Sequence, residues 1–113
     1  MFKRIIGVAA AAAACFSVSA SSAGTMLASW YGPGFHGRTT ANGEVYNMYG
    51  LTAAHKTLPF GTKLLVCYQR CTTVRINDRG PYIGARELDL SYGAAKEVGL
   101  VWLGVANLKV SYV

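Results

Sequence analysis

The sequence predicts a mainly β fold closed into a small barrel. Three observations carry that expectation: short runs with a two-residue hydrophobic period recur along the chain, glycine-rich turns separate them, and only one stretch has helical character. The first run is Met26 to Tyr31. It leads into Gly32-Pro33-Gly34-Phe35-His36-Gly37-Arg38-Thr39-Thr40-Ala41-Asn42-Gly43-Glu44, a long loop whose interleaved aromatic and polar residues point to a shaped, functional surface. Lys63 to Cys67 and Thr72 to Ile76 then read as two strands around Tyr68-Gln69-Arg70, the pattern of a β-hairpin with a three-residue loop. Residues opposed across such a hairpin lie about 4.5 to 5.5 Å apart, within disulfide reach, so Cys67 and Cys71 are expected to pair and to stabilise the domain by roughly 2 kcal/mol.

The second of these strands runs straight into a charged turn, Asn77-Asp78-Arg79-Gly80-Pro81. Asn77 and Asp78 tolerate turn geometry, Gly80 can take positive φ, and Pro81 forces its predecessor out of the helical region. A carboxylate at such a rigid strand end suits chemistry and turn stabilisation alike. From Ser91 to Gly99 the pattern changes to Tyr92-Gly93-Ala94-Ala95-Lys96-Glu97-Val98, a short helix with Ser91 as N-cap and Gly99 as stop signal. The last run, Val105 to Val113, is the cleanest amphipathic strand: Ala106, Leu108, Val110 and Tyr112 alternate with Asn107, Lys109 and Ser111.

The N-terminus reads as an export signal over residues 1–23: Lys3 and Arg4, an apolar run from Ile5 to Phe16, then small residues with cleavage points before Ser21 and before Gly24. The run is shorter than the roughly 18 residues a membrane span needs. Cys15 follows Ala12-Ala13-Ala14, so the segment is similar to a degraded lipoprotein signal; the thiol is either discarded with the signal or lipidated as the first mature residue. Membrane attachment is expected only in the second case. The remainder, residues 24–113, is one small domain that buries only about 60 to 65% of its unfolded surface. It is expected to be exported to the periplasm or cell envelope, or secreted, as a monomer. Of the net charge of +6, Lys3 and Arg4 supply two, and the mild remainder suits work near anionic polymers without the basic cluster that nucleic acid would ask for.

Five acidic residues allow elimination. Glu87 and Asp89 flank Leu88 ahead of the helix, where carboxylates meet a helix N-terminus favourably, and Glu97 is a solvated charge on the helix. Glu44 and Asp78 remain, and two carboxyl groups facing one cleft are what glycoside cleavage requires. Trp30, Tyr31, Phe35 and Tyr82 either pack on sugar faces or fill the core. His55 is either a proton shuttle or a hydrogen-bonded anchor; Arg79 either holds substrate or acts on Asp78. A zinc site built from Cys67, Cys71, His36 and His55 lacks a second ligand pair at the right spacing, and no cofactor is expected. With both mature cysteines oxidised and no G-x-S-x-G turn, neither thiol nor serine nucleophile is in evidence, and no phosphate-cradling spacing follows Gly32-Pro33-Gly34.

Four ordered motifs carry a resemblance: Ala28 to Glu44, Leu51-Thr52-Ala53-Ala54-His55, Leu58-Pro59-Phe60-Gly61-Thr62, and Val74 to Pro81. Together they closely resemble the RlpA-like (rare lipoprotein A) family over essentially all of residues 24–113. The resemblance implies a six-stranded double-psi β-barrel with one or two short helices, the fold of expansins and barwin-like proteins. It also implies an endolytic peptidoglycan lytic transglycosylase that acts on glycan strands lacking stem peptides and leaves 1,6-anhydro-N-acetylmuramic acid ends. By motif, the family's acid positions fall on Glu44 and Asp78, and its histidine on His55, which moves that residue toward a site role. On this reading Asp78 is the general acid, Glu44 the base or electrostatic stabiliser, and Arg79, Tyr31, His36 and Tyr82 contact the sugar. The alternative is a non-catalytic wall-binding module, since expansins loosen polysaccharide with the same barrel. Unlike longer family members, the sequence carries neither a SPOR repeat nor a complete lipobox.

Overall fold

The computed structural model describes residues 23–113; Cys15 and the expected signal up to residue 22 lie outside the described residues. Among these, six strands and one helix follow in order: β1 (Ala23–Tyr31), β2 (Thr52–His55), β3 (Lys63–Cys67), β4 (Cys71–Asp78), β5 (Leu88–Ser91), α1 (Tyr92–Val98) and β6 (Ala106–Tyr112). The strands close into a barrel in the spatial order β1-β5-β2-β4-β3-β6. Two neighbouring pairs, β1 with β5 and β2 with β4, run parallel, and the other four are antiparallel.

The period-2 pattern decides which side chains fill the barrel. Leu64 and Val66 of β3, Val74 and Ile76 of β4, and Leu108 and Val110 of β6 point inward, meeting Ala28, Ala53, Leu88 and Leu90. Helix α1 covers this core with Ala94, Ala95 and Val98. Ser91 caps it, its hydroxyl accepting from the Ala94 N–H, and Gly99 ends it in the left-handed region at φ 87°. Both helix signals read from the sequence hold.

Cys67 and Cys71 form the expected disulfide across the hairpin, with a Cα separation of 4.0 Å, closer than the hairpin estimate. The hairpin tip is docked as well: the Gln69 and Arg70 N–H groups both donate to the Val98 carbonyl at the end of α1.

Two strands escaped the periodicity. β2 and β5 have only four residues each, and β2 is nearly continuously buried, so it shows no alternation. β5 also corrects the reading of Glu87 and Asp89. A strand, not a helix entrance, occupies this position, and the first turn of α1 holds no acidic residue. Glu87 instead accepts from the Leu27 N–H of β1, and Asp89 lies within β5.

Candidate active site

β4 extends through Asn77 and Asp78 instead of turning at Asn77. Its pairing with β2 matches Ala53 to Ile76 but Ala54 to Asp78, so Asn77 is an inserted bulge residue. Side chains alternate along a strand, and one extra residue moves everything after it to the opposite face. The bulge therefore takes Asp78 out of register with the core residue Ile76 and sets it beside Ala54 on the outer face.

Ala54 also pairs with Asp89 on its other side, and Asp89 pairs with Ser29 of β1. Asp78, Ala54, Asp89 and Ser29 thus form one row across four strands, with side chains on a common face. Two strand spacings put the two aspartate Cα atoms about 9.5 Å apart. Between them stands only the methyl group of Ala54. A cleft of about 470 Å³ opens over Asp78 and Asp89, bordered by Trp30, Tyr31, Phe35 and Tyr82.

The two carboxyls are treated differently. Asp78 Oδ1 accepts from the backbone N–H groups of Ala41 and Arg79, both at 2.9 Å, and Oδ2 accepts from the Tyr31 hydroxyl at 3.2 Å. Three donors thus hold Asp78, two on Oδ1 and one on Oδ2. Asp89 Oδ1 accepts from Ser29 Oγ at 2.9 Å. Burial, opposed by that hydrogen bond and by Arg86 and assisted by the Asp78 charge, pushes the Asp89 carboxyl up to about 6. Tyr31 is held as a donor: burial first, then the Asp78 charge, push its phenol well above the ordinary value, while its ring stacks on Tyr46 at 4.4 Å.

Glu44 lies outside this cleft. Its carboxylate takes a bidentate pair from Arg75 and further bonds from the side-chain amides of Asn42 and Asn77. These bonds, Arg75 first, hold it down at about 2. Four donors leave it no basic lone pair to offer a substrate, and it acts instead as the clamp of the glycine-rich loop. Asn42 donates from its backbone to the Asn77 carbonyl, which brings the Ala41 N–H onto Asp78.

The two histidines and Arg79 are also engaged. His55 Nδ1 accepts from the Thr57 and Leu58 N–H groups at 3.1 Å, and burial lowers its basicity. His36 Nδ1 accepts from the Met48 N–H and braces the loop. Arg79 borders the cleft, but its Nη1 donates to the His55 and Leu58 carbonyls and its guanidinium lies over the Phe60 ring at 3.9 Å. Of the sequence-derived sugar contacts, Tyr31 and Tyr82 line the cleft, Tyr82 exposed and Tyr31 with its hydroxyl on Asp78 and its ring on Tyr46, whereas His36 and the Arg79 head are committed to the scaffold. Asp89 is the residue that elimination discarded. The Leu88/Leu90 alternation around it was the available signal, hidden by its closeness to the helix cap. Among the described residues no group of three or more His, Cys, Asp or Glu side chains is placed to hold a metal ion.

The family model described as lytic transglycolase matches residues 23–112. The chain belongs to the lytic transglycolase family. A probable endolytic peptidoglycan transglycosylase RlpA from Synechocystis is 57% identical over 90 residues, covering 77% of this chain and 28% of its own length. The endolytic peptidoglycan transglycosylase RlpA of Campylobacter jejuni is 51% identical over 90 residues, covering 77% and 33%. The chain thus spans about a third or less of the curated relatives it matches. Among solved structures, the Streptomyces papain inhibitor aligns with a TM-score of 0.67 at 20% identity, covering 86% of this chain and 99% of that one. An expansin of Clavibacter michiganensis aligns at 0.65 and 20%, covering 80% and 50%. At that identity the likeness carries the fold alone, and the fold is the double-psi β-barrel expected from the motifs.

Proposed function

We propose that the protein is an endolytic peptidoglycan lytic transglycosylase, the activity named for its relatives, and that Asp89 is its acid with Asp78 as charged partner. The observation that carries this reading is the row Asp78, Ala54, Asp89: two carboxyls on one face, one held by three donors and one raised to about 6 with its Oδ2 free of partners among the described residues. Titratable pairs whose environments differ in this way divide into acid and stabiliser. This differs from the motif-based assignment, in which Asp78 gives the proton and Glu44 assists.

In the proposed reaction Asp89 passes its proton to the glycosidic oxygen as the bond to C1 of N-acetylmuramic acid breaks. Asp78, held by Tyr31, Ala41 and Arg79, stabilises the positive charge developing at C1. The muramyl C6 hydroxyl closes onto C1 and its proton returns to the Asp89 carboxylate. The acid is regenerated, no water is consumed, and a 1,6-anhydro end results. Glu44, His55 and Arg79 act as positioning residues that hold the loop and the strand end around Asp78. The substrate, glycan strands lacking stem peptides, lies in the cell envelope, which requires export, a role that suits the signal-like residues 1–23.

Digestion of amidase-treated peptidoglycan, followed by mass spectrometry, tests the reading: anhydromuramyl fragments are expected from wild type and not from Asp89→Asn. Sedimentation of the protein with the glycan without any such product would instead support the wall-binding module. The aromatic border of the cleft, with Phe35 and Tyr82 exposed, would serve that reading equally well.

A further inference from the structure

A second groove, of about 760 Å³, shares no lining residue with the cleft. It lies between the disulfide hairpin, α1 and the turn after α1. Trp102 is 99% exposed at its rim, beside Tyr68 and Leu103. An indole left wholly in water is unusual in a domain this small, and this one is held there by an ordered turn. Leu100 is buried, the Gly104 N–H closes onto the Leu100 carbonyl, and the Val101 carbonyl accepts from the Trp30 indole N–H. The Tyr68 backbone is fixed in the same manner by the Cys67–Cys71 bridge and by the two hairpin N–H groups that donate to Val98. The backbone that carries both aromatics is therefore ordered before any ligand arrives, which lowers part of the ordering cost of binding.

The charges are one-sided. Arg70 and Lys96 line the groove and no carboxylate does; Glu97 is on the exposed side of α1 and outside the lining. Arg70 donates to the Glu97 and Lys96 backbone carbonyls, which fixes its position without neutralising it. Among the described residues the ion pair is that of Arg75 with Glu44, so Lys96 keeps its charge free. Exposed aromatic faces with unneutralised cations beside them fit a chain of flat rings that carries anionic groups. The cleft and the groove are one side chain apart, because Trp30 borders the cleft while its ring packs on Tyr92 at 5.4 Å, a groove residue.

We propose that this groove binds a second stretch of carboxylate-bearing glycan strand, Trp102 and Tyr68 stacking on pyranose faces and Lys96 pairing with a lactyl carboxylate. The site rests on the reading that glycan is the protein's substrate, but its test does not require turnover. Co-sedimentation with insoluble amidase-treated glycan and with chitin, which has the rings but lacks the carboxylates, compares wild type, Trp102→Ala and Lys96→Gln. Trp102→Ala should lower affinity for both polymers about tenfold, since an anchoring tryptophan commonly carries that much. Lys96→Gln should weaken glycan alone and reduce the salt sensitivity of that binding. Melting temperatures should stay at the wild-type value, and cleavage of a short soluble glycan fragment, if wild type cleaves it, should be unchanged. Unaltered affinity for polymeric glycan in Trp102→Ala overturns the proposal. So does a concentration-dependent dimer that Trp102→Ala abolishes, or tighter binding of a single-stranded oligonucleotide than of glycan. Absence of cleavage in wild type would count against the transglycosylase reading while the two sedimentation arms still decide the groove.

Discussion

Replacing Asp89 with asparagine should stop glycan cleavage and make the protein more stable at neutral pH. The carboxyl sits at about 6 when folded against 3.8 when free, chiefly because burial disfavours its charge. At about 1.4 kcal/mol per tenfold change in proton affinity, holding it ionised at pH 7 costs about 3 kcal/mol. The group is open to the cleft on one side, so water takes back part of that cost, and about 1 to 2 kcal/mol is the expected gain on removal. The folded state binds the proton more tightly than the unfolded chain. Wild-type stability therefore falls as pH rises from 3.8 to about 6, and the advantage of Asp89→Asn grows over the same window. Asparagine keeps an Oδ1 acceptor for the Ser29 hydroxyl, so packing is retained. For a domain of this size the gain corresponds to roughly 5 to 10 °C in Tm at pH 7, and to none at pH 3, where the carboxyl is protonated in both states. Thermal melts at the two pH values measure it, alongside the cleavage assay. A variant that melts with wild type at pH 7, keeps its advantage at pH 3, or still releases anhydromuramyl fragments would refute the assignment.

Tyr31→Phe deletes the hydroxyl donor to Asp78 but leaves the ring on Tyr46; cleavage should fall about tenfold to a hundredfold, the worth of a hydrogen bond to a charged group, with an unchanged melt. Glu44→Gln loosens the loop that carries the Ala41 N–H, and kcat should drop about tenfold or more through misplacement of Asp78. Because the Glu44 carboxyl is lowered from 4.5 to about 2 by Arg75 and the two amides, its stabilisation is full above 4.5 and is lost as pH falls toward 2; acid unfolding followed by circular dichroism should show that loss in wild type and a flatter profile in the variant. Converting Cys67 and Cys71 together to serine reopens a very short loop and should cost roughly 2 kcal/mol, or about 10 °C in Tm, read by calorimetry. Cleavage of glycan should decline above about pH 6 as Asp89 ionises; a kcat/KM profile still rising through pH 8 would count against that acid.

Much of the frame was legible because it depends on local rules. Leu64 and Val66, Val74 and Ile76, and Leu108 and Val110 each face the core as the two-residue period requires. Ser91 and Gly99 mark the helix ends by their own backbone preferences, and a five-residue Cys-to-Cys hairpin leaves its sulfurs little alternative to pairing. β2 and β5 were not legible, since their pairing partners are distant in sequence and their four residues are too few to show a period.

The same division runs through the site. Sequence by itself determined the barrel's buried face, the disulfide, the family motifs and the presence of a carboxylate at the end of β4. Tertiary structure alone decided which carboxyls meet. Asn77 bulges out of the β2–β4 ladder, and that single extra residue turns Asp78 onto the face where Ala54 and Asp89 already stand. No local pattern specifies the bulge, because it is defined only against the partner strand. Glu44 is withdrawn for a comparable reason: Arg75 is 31 residues away along the chain, and only folding puts its guanidinium where the carboxylate ends. Burial, likewise a property of the assembled barrel, is what raises the carboxyl of Asp89, a residue that reads in the sequence as a helix-end charge.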